Sequence, residues 1–298
     1  MSRQGYFPHH DKLMAAMKNP KYERGKFKEF FKEALLLYER WREENLKIRG
    51  TSDEDIRRKV NLLNEYKDQL ELEVAAKYGV HPYFGEGEVF SAQTKIFSSI
   101  LEEFLYYLFK DLVPEGTRIG SGRAFVELFI TPKSFEELIK GHPTLTVKRK
   151  DLDFMLGADI TLIIRPKASL EQFLNRTEEL TIPAVAVECK TNIDKTMLNE
   201  AAGTAEFLKR GNPYVLYVIL AEYLDFTPEE NPKLTKIDQI YILRRMKRPS
   251  VDQRTLDFFK NRKPIQEDLV IDFFKLVRNH LEKTWWDPDE AVERGKLI

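Results

Sequence analysis

The run NPYVLYVILAEYLDF, Asn212 to Phe226, constrains the fold more than any other stretch. It is apolar at successive positions, not at alternate ones. A strand with one wet face alternates apolar and polar side chains, because neighbours point to opposite faces. A strand apolar on both faces must be covered on both, so this one belongs inside a sheet with layers above and below.

The other segments supply its neighbours and its cover. RIGSGRAFVELFI, LTVKRKDLDFMLGADITLIIRP and IPAVAVECK are rich in β-branched and aromatic residues and read as strands. IDQIYILRRMKR reads as a further strand ending in basic residues, and Ser169 to Glu179 as a small helical insertion. KTMLNEAAGTAEFLKRG, closed by Gly211, and the terminal LVIDFFKLVRNHLEKTWW read as helices. Upstream, residues 12 to about 78 are helical in pattern and highly charged. KFKEFFKEALLLYERWREENLKIRG spaces Phe30, Leu35, Leu37, Tyr38 and Trp41 as a helix does and stops at Gly50. The next helix takes Thr51 or Ser52 as its cap, places acids in its first turn and ends at Gly79. These two helices are expected to lie antiparallel. A Gly-rich connector from His81 leads to a third helix, Gln93 to Lys110. The order predicts an α/β core, residues 86–298, carrying a helical N-terminal region, residues 1–85.

Bulk properties exclude several classes. With 48 basic and 48 acidic residues the 298-residue chain is formally neutral, so it is no wholesale polycation, although local basic patches remain open to nucleic acid. Cys189 is the only cysteine, which rules out an intramolecular disulfide and a cysteine-cluster zinc site and suits a reducing cytoplasm. No run approaches the ~20 apolar residues of a membrane span, and the first residues lack the apolar core of a signal peptide. A cytoplasmic protein with no membrane partner is expected.

The chemistry concentrates at VAVECKT, Val185 to Thr191. Alternation puts Glu188 and Lys190 on one face and the Cys189 side chain on the other. A frayed strand end with a solvated ion pair is the bland explanation. Antiparallel pairing with LTVKRKDLDFMLGADITLII makes more of it. The start of that strand then lies beside the end of VAVECKT, bringing Asp153 or Asp159 against Glu188 and Lys190. The two aspartates are six apart and share a face, so parity does not separate them, and Gly157 between them marks a bend or bulge. Two carboxylates at adjacent strand ends form a hard-oxygen site suited to Mg²⁺, which keeps waters for a phosphate to replace. The Cys189 carbonyl is a further candidate ligand. Lys190, one pleat along, can neutralise developing charge.

An acidic residue on one strand, then hydrophobic-E-X-K ending the next, then a helix, resembles the PD-(D/E)XK nuclease superfamily. A more specific likeness lies in KDLDFMLG, in VAVECKTNIDKTM followed by EAAGTAEFLKRGNPY, and in DQIYILRR, SSILEEFLYYLF and IGSGRAF. Together these resemble a family of type II restriction endonucleases whose namesake cuts the interrupted, asymmetric site CCTNAGC. The likeness runs from about residue 90 to 247. It implies a restriction-endonuclease-like mixed sheet flanked by helices, and Mg²⁺-dependent cleavage of double-stranded DNA leaving 5′-phosphate ends. It also implies Asp153 and Glu188 as metal ligands, Lys190 as the catalytic lysine, and Asp159 as the alternative ligand. The motif's proline is absent before either aspartate. The namesake reads its site with two unlike subunits, so this chain is expected to pair with itself, or else with a second subunit.

Other residues are weighed beside this centre. Related nucleases bring a further glutamate from a preceding helix, which points to Glu102 or Glu103 without choosing between them. Lys148, Arg149 and Lys150 enter the acidic strand and are candidates for phosphate contact. Arg123, after Gly120-Ser121-Gly122, and the strand-ending Arg244, Arg245, Lys247 and Arg248 are candidates for DNA contact. The aromatic stripe at 214–226 reads as core, and Trp285 and Trp286 as cover for a domain edge or a subunit interface. The adjacent His9 and His10 read as a mobile N-terminal segment, with a metal pair the lesser alternative. Two rival functions stay open: a repair or recombination nuclease selecting DNA structure, and a non-catalytic DNA-binding subunit.

Overall fold

The computed structural model describes residues 5–80, 95–139, 144–164, 176–227 and 232–295. The Gly-rich connector from His81 and most of the expected insertion lie outside the described residues. Where the insertion is described, from Arg176 onward, it is strand, not helix.

The doubly apolar run forms β4 (Leu216–Leu224), buried at every position but its last. It lies between β3 (Arg176–Ile193) and β5 (Gln239–Ile242), parallel to both. β1 (Arg118–Thr131), β2 (Thr144–Ile164) and β3 form an antiparallel meander, so the described sheet runs β1-β2-β3-β4-β5. Parallel neighbours need a crossover. Helix α7 (Lys195–Gly211) supplies it between β3 and β4, capped at its start by the Asp194 side chain accepting from the Met197 N–H. β5 is shorter than its sequence pattern suggests. The chain turns at Arg245, whose φ of 49° takes it out of the strand.

Strand alternation sorts the sheet between two layers. Ala186, Tyr217 and Ile219 face α7, where Leu198, Ala201, Ala205 and Leu208 cover them. Val185, Val187, Val218 and Leu220 face the other way, into a larger core with the N-terminal helices. Those helices are α1 (Pro8–Met17), α2 (Gly25–Lys47), α3 (Asp53–Asp68) and α5 (Ser99–Phe109). The C-terminal α9 (Glu267–Glu282) completes the layer, with Phe274 stacked on Phe109 at 5.5 Å. The helical N-terminal region and the sheet therefore bury their apolar faces in one common core. Each fully buried aliphatic or aromatic side chain contributes about 1.5–3 kcal/mol there. The chain also forms the small helices α6 (Phe135–Ile139), α8 (Leu256–Lys260) and α10 (Pro288–Arg294).

Helix α3 opens on a capping box between Ser52 and Asp55, so of the two expected cap residues Ser52 is the one used. It continues through a π-helical turn, Gln69–Val74, into α4 (Ala75–Lys77). That turn aims Glu71 into a buried ion cluster. Lys67 Nζ lies 2.5 Å from Glu71 and 2.9 Å from Glu222 of β4. Glu222 also takes Arg244 Nε at 2.8 Å, and Glu71 takes Arg262 at 2.6 Å. Burial alone would raise the two carboxyls. The cations around them win and hold both below the ordinary value of 4.5. Removing one partner leaves uncompensated buried charge, which costs about 3–5 kcal/mol. Glu71→Ala is expected to lower stability to urea by that amount at neutral pH. A carboxyl whose folded pKa is depressed contributes fully above its unfolded value and loses that contribution as pH falls. The gap between wild type and Glu71→Ala should thus be constant above pH 4.5 and shrink below it, measured by urea unfolding across that range.

Candidate active site

The β2–β3 register decides which carboxylates meet. Phe154 pairs with Val187, which sets Asp153 beside Glu188. Asp159 pairs with Thr181, far back along β3; it is exposed and accepts a hydrogen bond from the Thr181 hydroxyl at 2.6 Å. The bulge expected at Gly157 is present, as a register shift between Leu156 and Gly157. A Cβ on Gly157 would stand 2.2 Å from the Ile182 carbonyl oxygen, so only glycine allows β3 this close.

A second irregularity lies at Asp153 itself. On the β1 side Gly120 pairs with Met155 and Gly122 with Leu152. Ser121 therefore opposes both Asp153 and Phe154, a β-bulge. Leu152 and Met155 both reach the α7 core although they are three apart, which strict alternation forbids. Bulges re-aim side chains in this way beside functional sites. Here the Asp153 carboxylate turns toward β3 and accepts from the Cys189 amide at 3.1 Å.

Glu188 Oε1 lies 2.8 Å from Lys190 Nζ, and its Oε2 accepts from the Tyr217 hydroxyl at 2.9 Å. Burial and the neighbouring Glu188 charge raise the Asp153 pKa. Burial pulls Lys190 down, but the Glu188 carboxylate outweighs it and keeps Lys190 above its ordinary value, hence a cation at neutral pH. The Cys189 side chain packs in the opposite core, and burial pushes its thiol far up. That leaves the cysteine no role as a nucleophile or thiolate ligand.

The structure separates Glu102 from Glu103. Glu103 is fully buried and accepts from the His9 and His10 amides, at 2.9 and 3.3 Å, and from the Tyr107 hydroxyl at 2.5 Å. It caps α1, whose own N-cap residue Phe7 makes no side-chain cap. Glu102 points to the strand ends instead. Burial and the Asp153 charge push its pKa up to about 7, against the pull of Lys95, Lys12 and Lys190.

Asp153 and Glu188 are thus two adjacent carboxylates with Lys190 as the near cation and Glu102 adding more negative charge. Among the described residues no group of three or more His, Cys, Asp or Glu is arranged to hold a metal ion. The carboxylate pair nonetheless fits a hard divalent cation that is bound through one or two carboxylates and completed by phosphate and water.

The basic candidates divide. Lys148 and Lys150 are exposed, with the Lys148 ammonium 4.1 Å from the centre of the Phe207 ring. Arg149 pairs with Glu178 at 3.1 Å, and the exposed Arg123 lies 3.7 Å from Asp151. Arg245 pairs with Asp268, and Arg248 with Asp225 at 2.7 Å. Arg244 overturns its expectation: it is buried in the Glu222 ion cluster and also donates to the Lys263 carbonyl. Its place on β4's flank, not the basic run around it, decides its partner. His9 and His10 are likewise neither mobile nor a metal pair. The His9 ring is buried between the Ser99 and Tyr66 hydroxyls, at 3.0 and 2.6 Å. Trp285 stacks between Tyr214 and His280, at 6.0 and 5.3 Å. Sequence reasoning missed Tyr217, read only as core. Its one signal was a hydroxyl inside an apolar strand, which must find a partner when buried.

A family model described as Bpu10I restriction endonuclease matches residues 93–297. Among solved structures, the chain is similar to one described as "native BbvCI A2B2 tetramer at low resolution", with a TM-score of 0.65 and 21% identity. The match covers 94% of this chain and 99% of that one, including the helical N-terminal region. At that identity the likeness shows a shared restriction-enzyme fold, an α/β mixed sheet flanked by helices. No curated protein matches the chain. With more than half its length matched, the chain belongs to the Bpu10I restriction endonuclease family.

Proposed function

We propose that the protein is a type II, site-specific endonuclease that hydrolyses double-stranded DNA with Mg²⁺, with Asp153, Glu188 and Lys190 as its active centre. One observation carries this reading: two carboxylates from adjacent strands and a charged lysine converge at the strand ends of a restriction-enzyme fold. Asp153 and Glu188 hold the cation, with the Cys189 carbonyl a further candidate ligand. Bound there, Mg²⁺ supplies Lewis acidity toward a phosphate oxygen. Lys190 stays protonated and faces the negative charge that grows as the phosphodiester is attacked. Tyr217 fixes the Glu188 carboxylate from behind, leaving it one oxygen for the site. Glu102, poised near neutrality, can hold or release a proton beside Asp153.

Exposed Lys148, Lys150 and Arg123 border the same meander and support a reading as phosphate contacts. Arg149 and Arg245 join that role only by exchanging their present carboxylate partners for phosphate. Cutting both strands requires two centres. The chain therefore works as a pair, with a second copy or with an unlike subunit, in keeping with the A2B2 description of its structural neighbour. No described helix is long and apolar enough to cross a membrane, and a cytoplasmic enzyme acting on DNA remains our reading.

Digestion of phage DNA in Mg²⁺ should give discrete bands. A smear points instead to structure-selective cleavage, and no cutting to a non-catalytic subunit. Mn²⁺ should substitute, Ca²⁺ should support binding without cleavage, and full activity in EDTA would refute the metal role.

Lys190→Ala should bind DNA nearly as wild type and cleave about a thousandfold or more slowly, on the order of 4 kcal/mol of transition-state stabilisation. Near-normal cleavage by this variant would remove Lys190 from the centre.

Asp153→Asn should abolish cleavage with thermal unfolding unchanged, whereas Asp159→Asn should keep cleaving. If Asp159→Asn alone is inactive and fails to bind Mn²⁺, the assignment of Asp153 is wrong.

A further inference from the structure

The N-terminal segment ahead of α1 reaches the strand that carries Asp153, although it lies outside the family match, which begins at residue 93. The Tyr6 hydroxyl donates to the Asp153 carbonyl at 3.2 Å. Ser121 of β1 is a near polar neighbour of the same phenolic oxygen. These are the residues that oppose each other across the β-bulge, where the β1–β2 ladder is interrupted between Gly120–Met155 and Gly122–Leu152. A bulge leaves backbone groups without ladder partners, and buried groups in that state cost stability. The Tyr6 hydroxyl supplies a partner to the Asp153 carbonyl, on the β2 side of the gap.

The segment is built for this. Gly120 has a φ of +120°, and a Cβ there would stand 2.6 Å from Tyr6 Cγ, so the tyrosine ring fits only over glycine. Immediately downstream the chain is pinned. Phe7 packs edge-on against Tyr106 at 5.4 Å with the Arg42 guanidinium 4.1 Å above it, and Glu103 holds the His9 and His10 amides. One helix thus anchors the segment through Glu103 and presents Glu102 to the centre.

We infer that Tyr6 is a positioning residue for the active centre: by closing the bulge it sets the aim of the Asp153 carboxylate and with it the affinity for the divalent cation. The inference rests on the reading of Asp153 as a metal ligand. Tyr6→Phe removes the hydroxyl alone and keeps the ring. In the full chain it is expected to bind Mn²⁺ about tenfold more weakly in direct titration, the loss of roughly one hydrogen bond's worth of positioning. Half-maximal cleavage should need correspondingly more Mg²⁺, while cleavage at saturating Mg²⁺, DNA affinity without metal and the thermal midpoint stay near wild type. Ser121→Ala, which spares the Tyr6–Asp153 bond, should shift Mn²⁺ affinity the same way by a few-fold; it provides the test should Tyr6→Phe fold poorly. Wild-type Mn²⁺ affinity in both variants overturns the inference, even with a lowered midpoint, because Tyr6 would then be a packing residue only. Asp153→Asn, measured alongside, separates the two failures: if it retains Mn²⁺ binding and cleavage, the reading of Asp153 falls rather than the role of Tyr6.

Discussion

Burial on both faces of β4, and of β3 over Val185 to Val187, is the constraint on which the rest depends. A strand covered above and below has no water to offer a charge, so each charge on it must find a partner or sit at an end. Both solutions occur on these two strands. Glu222, within β4, is matched by Lys67 and Arg244, and its neighbour Glu71 by Lys67 and Arg262. Glu188, near the end of β3, meets Lys190 and a tyrosine hydroxyl, while Asp153 and Glu102 add more negative charge at the same place.

The contrast is between a cluster matched in charge and one short of cations. Around Glu222 and Glu71, cations suppress protonation of both carboxyls. At the strand ends burial and like charge raise Asp153 and Glu102. A site that disfavours its own ionised carboxylates is relieved by an added cation, which is the condition a divalent ion meets. The residue types are nearly the same in the two clusters; the balance of sign and the access to solvent differ.

The helical N-terminal region contributes more than cover. Its helices α2 and α3 pack into the same core as one face of the sheet, and the segment entering α1 crosses to the β1–β2 bulge. Glu103 joins these functions, because a single buried carboxylate both caps α1 and ties it to the helix bearing Glu102. Nucleolytic centres need carboxylates held to within fractions of an ångström. An irregular strand such as β2 gains that rigidity from groups outside the sheet.

By itself the sequence determined the five described strands and the longer helices, the sandwiching of β4, and the shared face of Glu188 and Lys190. These follow from apolar periodicity, cap residues and the two-residue repeat of a strand, all of which are local. It also confined the acidic partner to Asp153 or Asp159. Only the tertiary structure chose between them, because the choice rests on hairpin register and on a bulge opposite Ser121, and a pairing offset leaves no trace in the composition of either strand. The same holds for Glu102 against Glu103, neighbours on one helix whose partners come from Asp153 and from α1. It holds for Arg244, drawn into the interior by Glu222, and for Tyr6, more than a hundred residues from the aspartate it touches. Side-chain type and spacing are written along the chain, but which groups meet across it is decided by how the layers pack.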